Sequence, residues 1–174
     1  MAGERRAQRQ VMGWAGRIEQ ACIEKIEYDE DEHLLVAHVR PWASRRRCGQ
    51  CDRRCNGYDQ GEGRRRWRAL DLGCIQAVLE ADAPWVSCPT YGVTVPAVPW
   101  ARHGAGHTRA FDDQVAWLAV QCSKTAVTEL IRIAWRTVGA IITRVSADIK
   151  ASVDRLAGLR WIGIDKISYK LGWS

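Results

Sequence analysis

The apolar residues of this chain change their spacing near Thr108, and that change limits the fold more than any single motif does. Before it they alternate with polar residues in short runs; after it they recur every three to four positions. Alternation suits half-buried strands and a period near 3.6 suits one face of a helix, so the two parts form different layers. The expected class is α+β, with a small β-rich module first and a helical module second.

The β-rich part has its own punctuation. "ACIEKIEY" alternates, "DEDEH" turns and "LLVAHV" returns, which predicts a hairpin of Cys22 to Tyr28 with Leu34 to Val39. "RRRWRALDLG" and "IQAVLEADAPWVSC" predict two further strands, separated by Gly73 and ended near Pro84 and Pro89. "CPTYGVTVPAVPWARHGAGH", rich in proline and glycine, reads as a linker. The expected division is a β-rich unit over residues 1–92, a linker over 93–107, a helical unit over 108–150, and a last segment over 151–174.

Seven cysteines, an odd number, in a chain whose N-terminus lacks the apolar core of a secretory signal argue for reduced thiols or metal ligands. No apolar run approaches a membrane span, and a cytoplasmic protein is expected. Cys48 and Cys51 form C-x2-C, a spacing that lets two thiolates on one tight turn reach one tetrahedral zinc. Cys88 stands after two predicted strands, where a zinc ribbon returns its second pair. The partner position in that pair holds Tyr91, a poor ligand. Cys55, through C-x2-C-x3-C, or His103 or His107 folding back, are the alternatives for a fourth. No general base stands beside these cysteines, so Zn2+ here would be structural, not catalytic. Cys22 and Cys74 read as structural residues.

The charge is concentrated. Residues 40–68 hold ten arginines and three acidic residues (10 − 3 = +7), against a net charge of +6 for the whole chain. The stretch includes Arg45, Arg46 and Arg47, then Arg64, Arg65 and Arg66, with Trp42 and Trp67 alongside. Guanidinium forks match phosphate bidentately, and clustered arginine beside aromatic residues reads as nucleic-acid contact; a solvated basic face is the plainer alternative.

Beyond Thr108, Phe111, Val115, Leu118 and Cys122 form one helical stripe. Ser123 offers an N-cap for a second helix, Lys124 to about Ile131, with Ala126, Val127, Leu130 and Ile131 inward. A third runs from about Trp135 to Ile149, packing Val138, Ile141, Ile142 and Val145 and projecting Arg136, Thr137, Ala140 and Arg144 from the other side. A short helix, a turn of about three residues and a longer helix is the helix-turn-helix pattern, whose second helix enters the major groove. An ordinary helical bundle shares this periodicity. The turn "RIAW" lacks the glycine often found there.

Taken in order, "CGQC" with "CP" at Cys88, "RRRWRALDLG", "HTRAF" and the closing "IGIDKISYKLG" resemble the ISL-type insertion-sequence transposases of bacteria. The resemblance covers nearly the whole chain. It implies an N-terminal zinc-binding domain, a helix-turn-helix that binds DNA at terminal inverted repeats, and a ribonuclease-H-like domain whose three carboxylates hold two divalent metals such as Mg2+. Asp165 matches the first carboxylate. Lys166, Trp173 and Tyr91 stand where the family pattern has Glu, His, and His or Cys. A ribonuclease-H-like domain needs on the order of 100 residues, and nine follow Asp165 (174 − 165). The expectation is therefore a truncated first strand without strand-transfer activity, its apolar edge open to association as a homo-oligomer. A zinc-ribbon and helix-turn-helix transcriptional regulator, or a relic without function, are the competing readings.

Overall fold

A computed structural model describes residues 21–41, 46–61 and 63–152. Asp165 and Arg45 lie outside the described residues, as does the segment expected to open a ribonuclease-H-like domain.

The predicted hairpin forms. Strands β1 (Ala21–Asp29) and β2 (Leu34–Pro41) pair antiparallel, with a register shift between Ile23 and Lys25. Strands β4 (Arg64–Arg68) and β5 (Gln76–Asp82) also pair antiparallel, turning at Gly73, whose φ of 64° suits a residue without Cβ. The two hairpins join through β2 and β5, which run parallel, giving the sheet order β1-β2-β5-β4. A smaller antiparallel sheet holds β3 (Asn56–Gly57), β6 (Val86–Cys88) and β7 (Gly92–Thr94) in the order β3-β6-β7.

Alternation along these strands builds one apolar layer. Leu35, Ala37, Val39, Ala77, Leu79, Ala81 and Trp67 share a core with Trp100, whose ring meets Trp67 edge-on at 5.5 Å and 78°. Trp100 belongs to the segment expected to be a linker, and the structure corrects that expectation. Cys48 bridges Pro96, and the Ala97 N–H donates to the Arg47 carbonyl at 2.9 Å. Further along, Arg68 bridges His107, and the Arg109 N–H donates to the Trp100 carbonyl. Proline and glycine shape these turns, but the tryptophan and alanines between them find apolar cover and hydrogen-bonded edges, so residues 93–107 belong to the β module.

Three helices follow: α1 (Arg109–Gln121), α2 (Lys124–Ile131) and α3 (Trp135–Ser152). Thr108 caps α1 by accepting from the Phe111 N–H, and Ser123 caps α2 by accepting from the Ala126 N–H. Phe111, Val115, Val127, Val138, Ile141 and Val145 form the second core, with Leu70 of the β module packed against it. Cys122, Ala126 and Leu130, expected on the apolar stripes, are exposed; all three lie near helix ends. Among the described residues no helix is long and apolar enough to cross a membrane.

Candidate nucleic-acid interface and metal centre

Cys48, Cys51 and Cys88 come together, their sulfurs within 4.8 Å of one another, although Cys88 is 37 residues from Cys51 in the chain. A small bridged loop carries the first two: Arg47 pairs with Arg54, the Cys48 N–H donates to the Arg53 carbonyl, and the Asp52 N–H returns to the Cys48 carbonyl. The end of β6 carries the third. Zinc–thiolate bonds of about 2.3 Å in a tetrahedron place sulfurs roughly 3.8 Å apart. Cys51 and Cys88 lie at 3.7 Å, so this donor set fits zinc.

Backbone N–H groups approach the sulfurs. The Gln50 N–H donates to Cys48 Sγ at 3.4 Å. Burial pushes Cys88 up, but the Thr90 and Tyr91 N–H groups and the neighbouring Cys48 and Cys51 thiols bring it down to about 7. The Arg53 N–H lowers Cys51, while burial and the thiols of Cys48 and Cys88 outweigh it and leave that group raised. Burial, then the neighbouring Cys88 thiol, raises Cys55. Tyr91 is exposed at the turn between β6 and β7. His103 lies over the knuckle, its Nδ1 2.3 Å from where a Cβ on Gly49 would stand, so a side chain at position 49 would displace that imidazole.

The arginine triplet is divided by the strand that carries it. Arg64 and Arg66 face Glu80 on β5, at 3.2 and 2.7 Å, and Arg64 also approaches Asp82 at 3.5 Å. Arg65, on the opposite face, lies 5.4 Å from the Trp67 ring centre. Burial opposes the charge on Glu80, yet Arg66 first, then His38 and Arg64, hold its carboxyl below the usual range. The excess of +7 over residues 40–68 is thus partly met by Asp71, Glu80 and Asp82, which lie later in sequence. Arg64 and Arg66 keep side-chain exposures of 46% and 61%, enough to reach a phosphate. Of the first triplet, Arg47 pairs with Asp52 and Arg46 is exposed, its guanidinium over Gly57.

Helices α2 and α3 flank the turn Arg132–Ala134. Arg132 takes the left-handed conformation, φ 58° and ψ 48°, that glycine often supplies at a helix end. Its guanidinium reaches Asp71 at 2.6 Å and the Cys74 carbonyl at 3.3 Å, tying the turn to the β module. Arg68 works alongside, binding Asp71 and lying 5.5 Å from the Phe111 ring centre.

On α3, Arg136 and Ala140 are exposed and Thr137 half-buried; Arg136 has no carboxylate partner among the described residues. Arg144 does not project outward as its spacing predicts. It donates to Asp112 Oδ2 at 2.9 Å, and Asp112 is fully buried on α1. Arg102 completes the cluster: it approaches Asp112 at 3.5 Å and binds Asp113 and Asp148, joining the β module to α1 and α3. His107 Nδ1 lies 3.8 Å from Asp112 Oδ1 with its ring stacked on Phe111, and burial, before any charge, lowers its affinity for a proton.

Sequence reasoning passed over Asp112, Glu80, Asp71, Arg102 and Arg132. Asp112 falls one position from the apolar stripe and reads as an ordinary acidic residue in a first helical turn. Only its position beside that stripe hints at burial.

A thiolate ribbon packed against a helix-turn-helix defines a class of DNA-binding module, and two family models match in that order. The zinc-finger of transposases IS204/IS1001/IS1096/IS1165 matches residues 44–90, and the helix-turn-helix domain of transposase family ISL3 matches residues 96–146. Over these two segments the chain is similar to the ISL3 family of transposases. It is 60% identical over 160 residues to transposases for insertion sequence element IS1557 from two Mycobacterium tuberculosis strains, CDC 1551 / Oshkosh and ATCC 25618 / H37Rv. The match covers 89% of this chain and 36% of each relative, so the chain spans about a third of their length. No solved structure matches it significantly.

Proposed function

We propose that this chain binds DNA at the terminal inverted repeats of an insertion element and serves end recognition in transposition. The observation that carries the reading is the division of α3. One face is buried through Val138, Ile141 and Val145, while Arg136, Thr137 and Ala140 lie on the other, with the turn before them fixed to the β module by Arg132. Arg136 can address guanine or phosphate, and Thr137 a base or the backbone. Arg46, Arg64 and Arg66, with Arg45 and Arg65, supply phosphate contacts, Arg47 reaches the backbone beside its Asp52 pair, and Arg144 acts by orienting α3 through Asp112. Zinc held by the cysteine cluster keeps the ribbon in shape beneath the arginines. By the family resemblance, Asp165 would correspond to the first carboxylate of a metal-dependent catalytic site.

The test is a binding titration against the inverted-repeat ends of the element that encodes the chain, with a shuffled duplex of equal length as competitor. The expected result is preference for the ends by about 1000-fold or more, falling steeply between about 50 and 200 mM salt. Equal affinity for both duplexes would reject end recognition.

A further inference from the structure

We infer that this chain closes its zinc tetrahedron with Cys55, which replaces a ligand at position 91. The inference rests on the zinc reading and names the missing donor. It comes from strand register. Asn56 pairs with Ser87 and Gly57 with Val86, antiparallel. The ladder ends there; continued by one residue, the same register would set Cys55 opposite Cys88. Directly opposed residues of an antiparallel pair point to the same face, with Cβ atoms about 4.5–5.5 Å apart. The Cys55 backbone is held from the other side as well, because its N–H donates to the Arg46 carbonyl at 2.9 Å, next to the loop that carries Cys48 and Cys51. Cys55 thus stands between the Arg47–Arg54 bridge and the β3–β6 pair, the two pairings that flank the three-sulfur cluster.

Cys55 Sγ donates to the Arg53 carbonyl at 3.3 Å and stands outside the group of three sulfurs within 4.8 Å. Rotation about the Cα–Cβ bond would exchange that weak hydrogen bond for a metal bond. The other donors fit less well. Tyr91 is 48% exposed and offers a phenol. His103 sits against Gly49 and is likewise outside the sulfur cluster. A closed four-thiolate site is a structural zinc site, with no position left open for water.

The experiment titrates the metal-free, reduced full chain with Co2+, whose sulfur-to-cobalt charge-transfer band grows with the number of thiolates bound. Cys55→Ser is expected to reduce the band at saturation by about a quarter, one thiolate in four, and to weaken binding at least tenfold, since even outer-shell changes cost about that much. Adding Tyr91→His to Cys55→Ser is expected to restore affinity with the band of three thiolates, which separates loss of a ligand from loss of the fold. An unchanged band and affinity in Cys55→Ser would overturn the inference and leave the zinc reading standing. A wild-type band of three thiolates with affinity lost on His103→Ala would overturn it in favour of the histidine. No tetrahedral cobalt band in the wild type would overturn both readings.

Discussion

Arg144→Ala tests whether that arginine holds α3 in place or reads DNA. The substitution removes the 2.9 Å contact to Asp112 and leaves a carboxylate of 0% exposure with Arg102 at 3.5 Å as its nearest cation. Breaking a buried ion pair by deleting one partner costs about 3–5 kcal/mol. Two features reduce this: the Arg144 side chain is 25% exposed, so water can reach the vacated side, and Arg102 remains. The expected loss is about 2 kcal/mol. In a chain of this size each kcal/mol moves Tm by about 2–4 °C, so thermal unfolding followed by circular dichroism should show a fall of roughly 4–8 °C. Arg136→Ala, exposed and without a carboxylate partner among the described residues, should change stability by less than about 0.5 kcal/mol. At a temperature where both variants are folded, Arg136→Ala should weaken DNA binding by about 1–3 kcal/mol if it reads a base, or lower the salt slope by about 1 if it binds phosphate. Arg144→Ala should leave the salt slope unchanged. An unaltered Tm for Arg144→Ala together with a reduced slope would refute the reasoning and return Arg144 to the DNA face.

Glu80→Gln should cost about 2 kcal/mol at neutral pH through its weakened hydrogen bonds to Arg64 and Arg66. Because the folded-state carboxyl is held below the ordinary glutamate value of about 4.5, its stabilisation is complete above that pH and disappears as pH falls through the lower folded value; the variant should therefore show a shallower acid limb in denaturant titrations, and an equally steep one would count against the pairing. Trp100→Ala should cost about 3–5 kcal/mol by chemical denaturation, since its ring is 5% exposed against Trp67; a loss below about 1 kcal/mol would mean that residues 93–107 are a linker after all. Arg132→Gly removes a left-handed non-glycine residue, a gain of about 1 kcal/mol, and loses a half-exposed ion pair worth about as much. Unfolding should register a net change within about 0.5 kcal/mol, and a loss above about 2 kcal/mol would show that the Asp71 anchor is worth far more than a surface pair.

The helices were legible to within a few residues because their stripes and caps are local: Ser123 and the spacing of Val138, Ile141 and Val145 need no distant partner to be read. The β1–β2 hairpin was legible for the same reason. The parallel pairing of β2 with β5 was not, since no turn records it and the residues it joins are some 42 positions apart (Leu34 and Gln76). The linker expectation failed because proline and glycine mark turns without saying whether the chain between them is covered.

Charge shows the same division. Sequence alone determined that arginine is concentrated in residues 40–68, that cysteines stand at knuckle spacing, and that two periods meet near Thr108, because each is a matter of residue type and interval. Tertiary structure decided which guanidiniums remain free. Ion pairs form across strands and between helices, where partners such as Arg66 and Glu80, or Arg144 and Asp112, are brought together by burial of apolar faces, not by proximity in the chain. The same burial places Cys88 3.7 Å from Cys51, and the ladder that pairs Asn56 with Ser87 joins the residues next to Cys55 and Cys88, a relation that no spacing rule expresses.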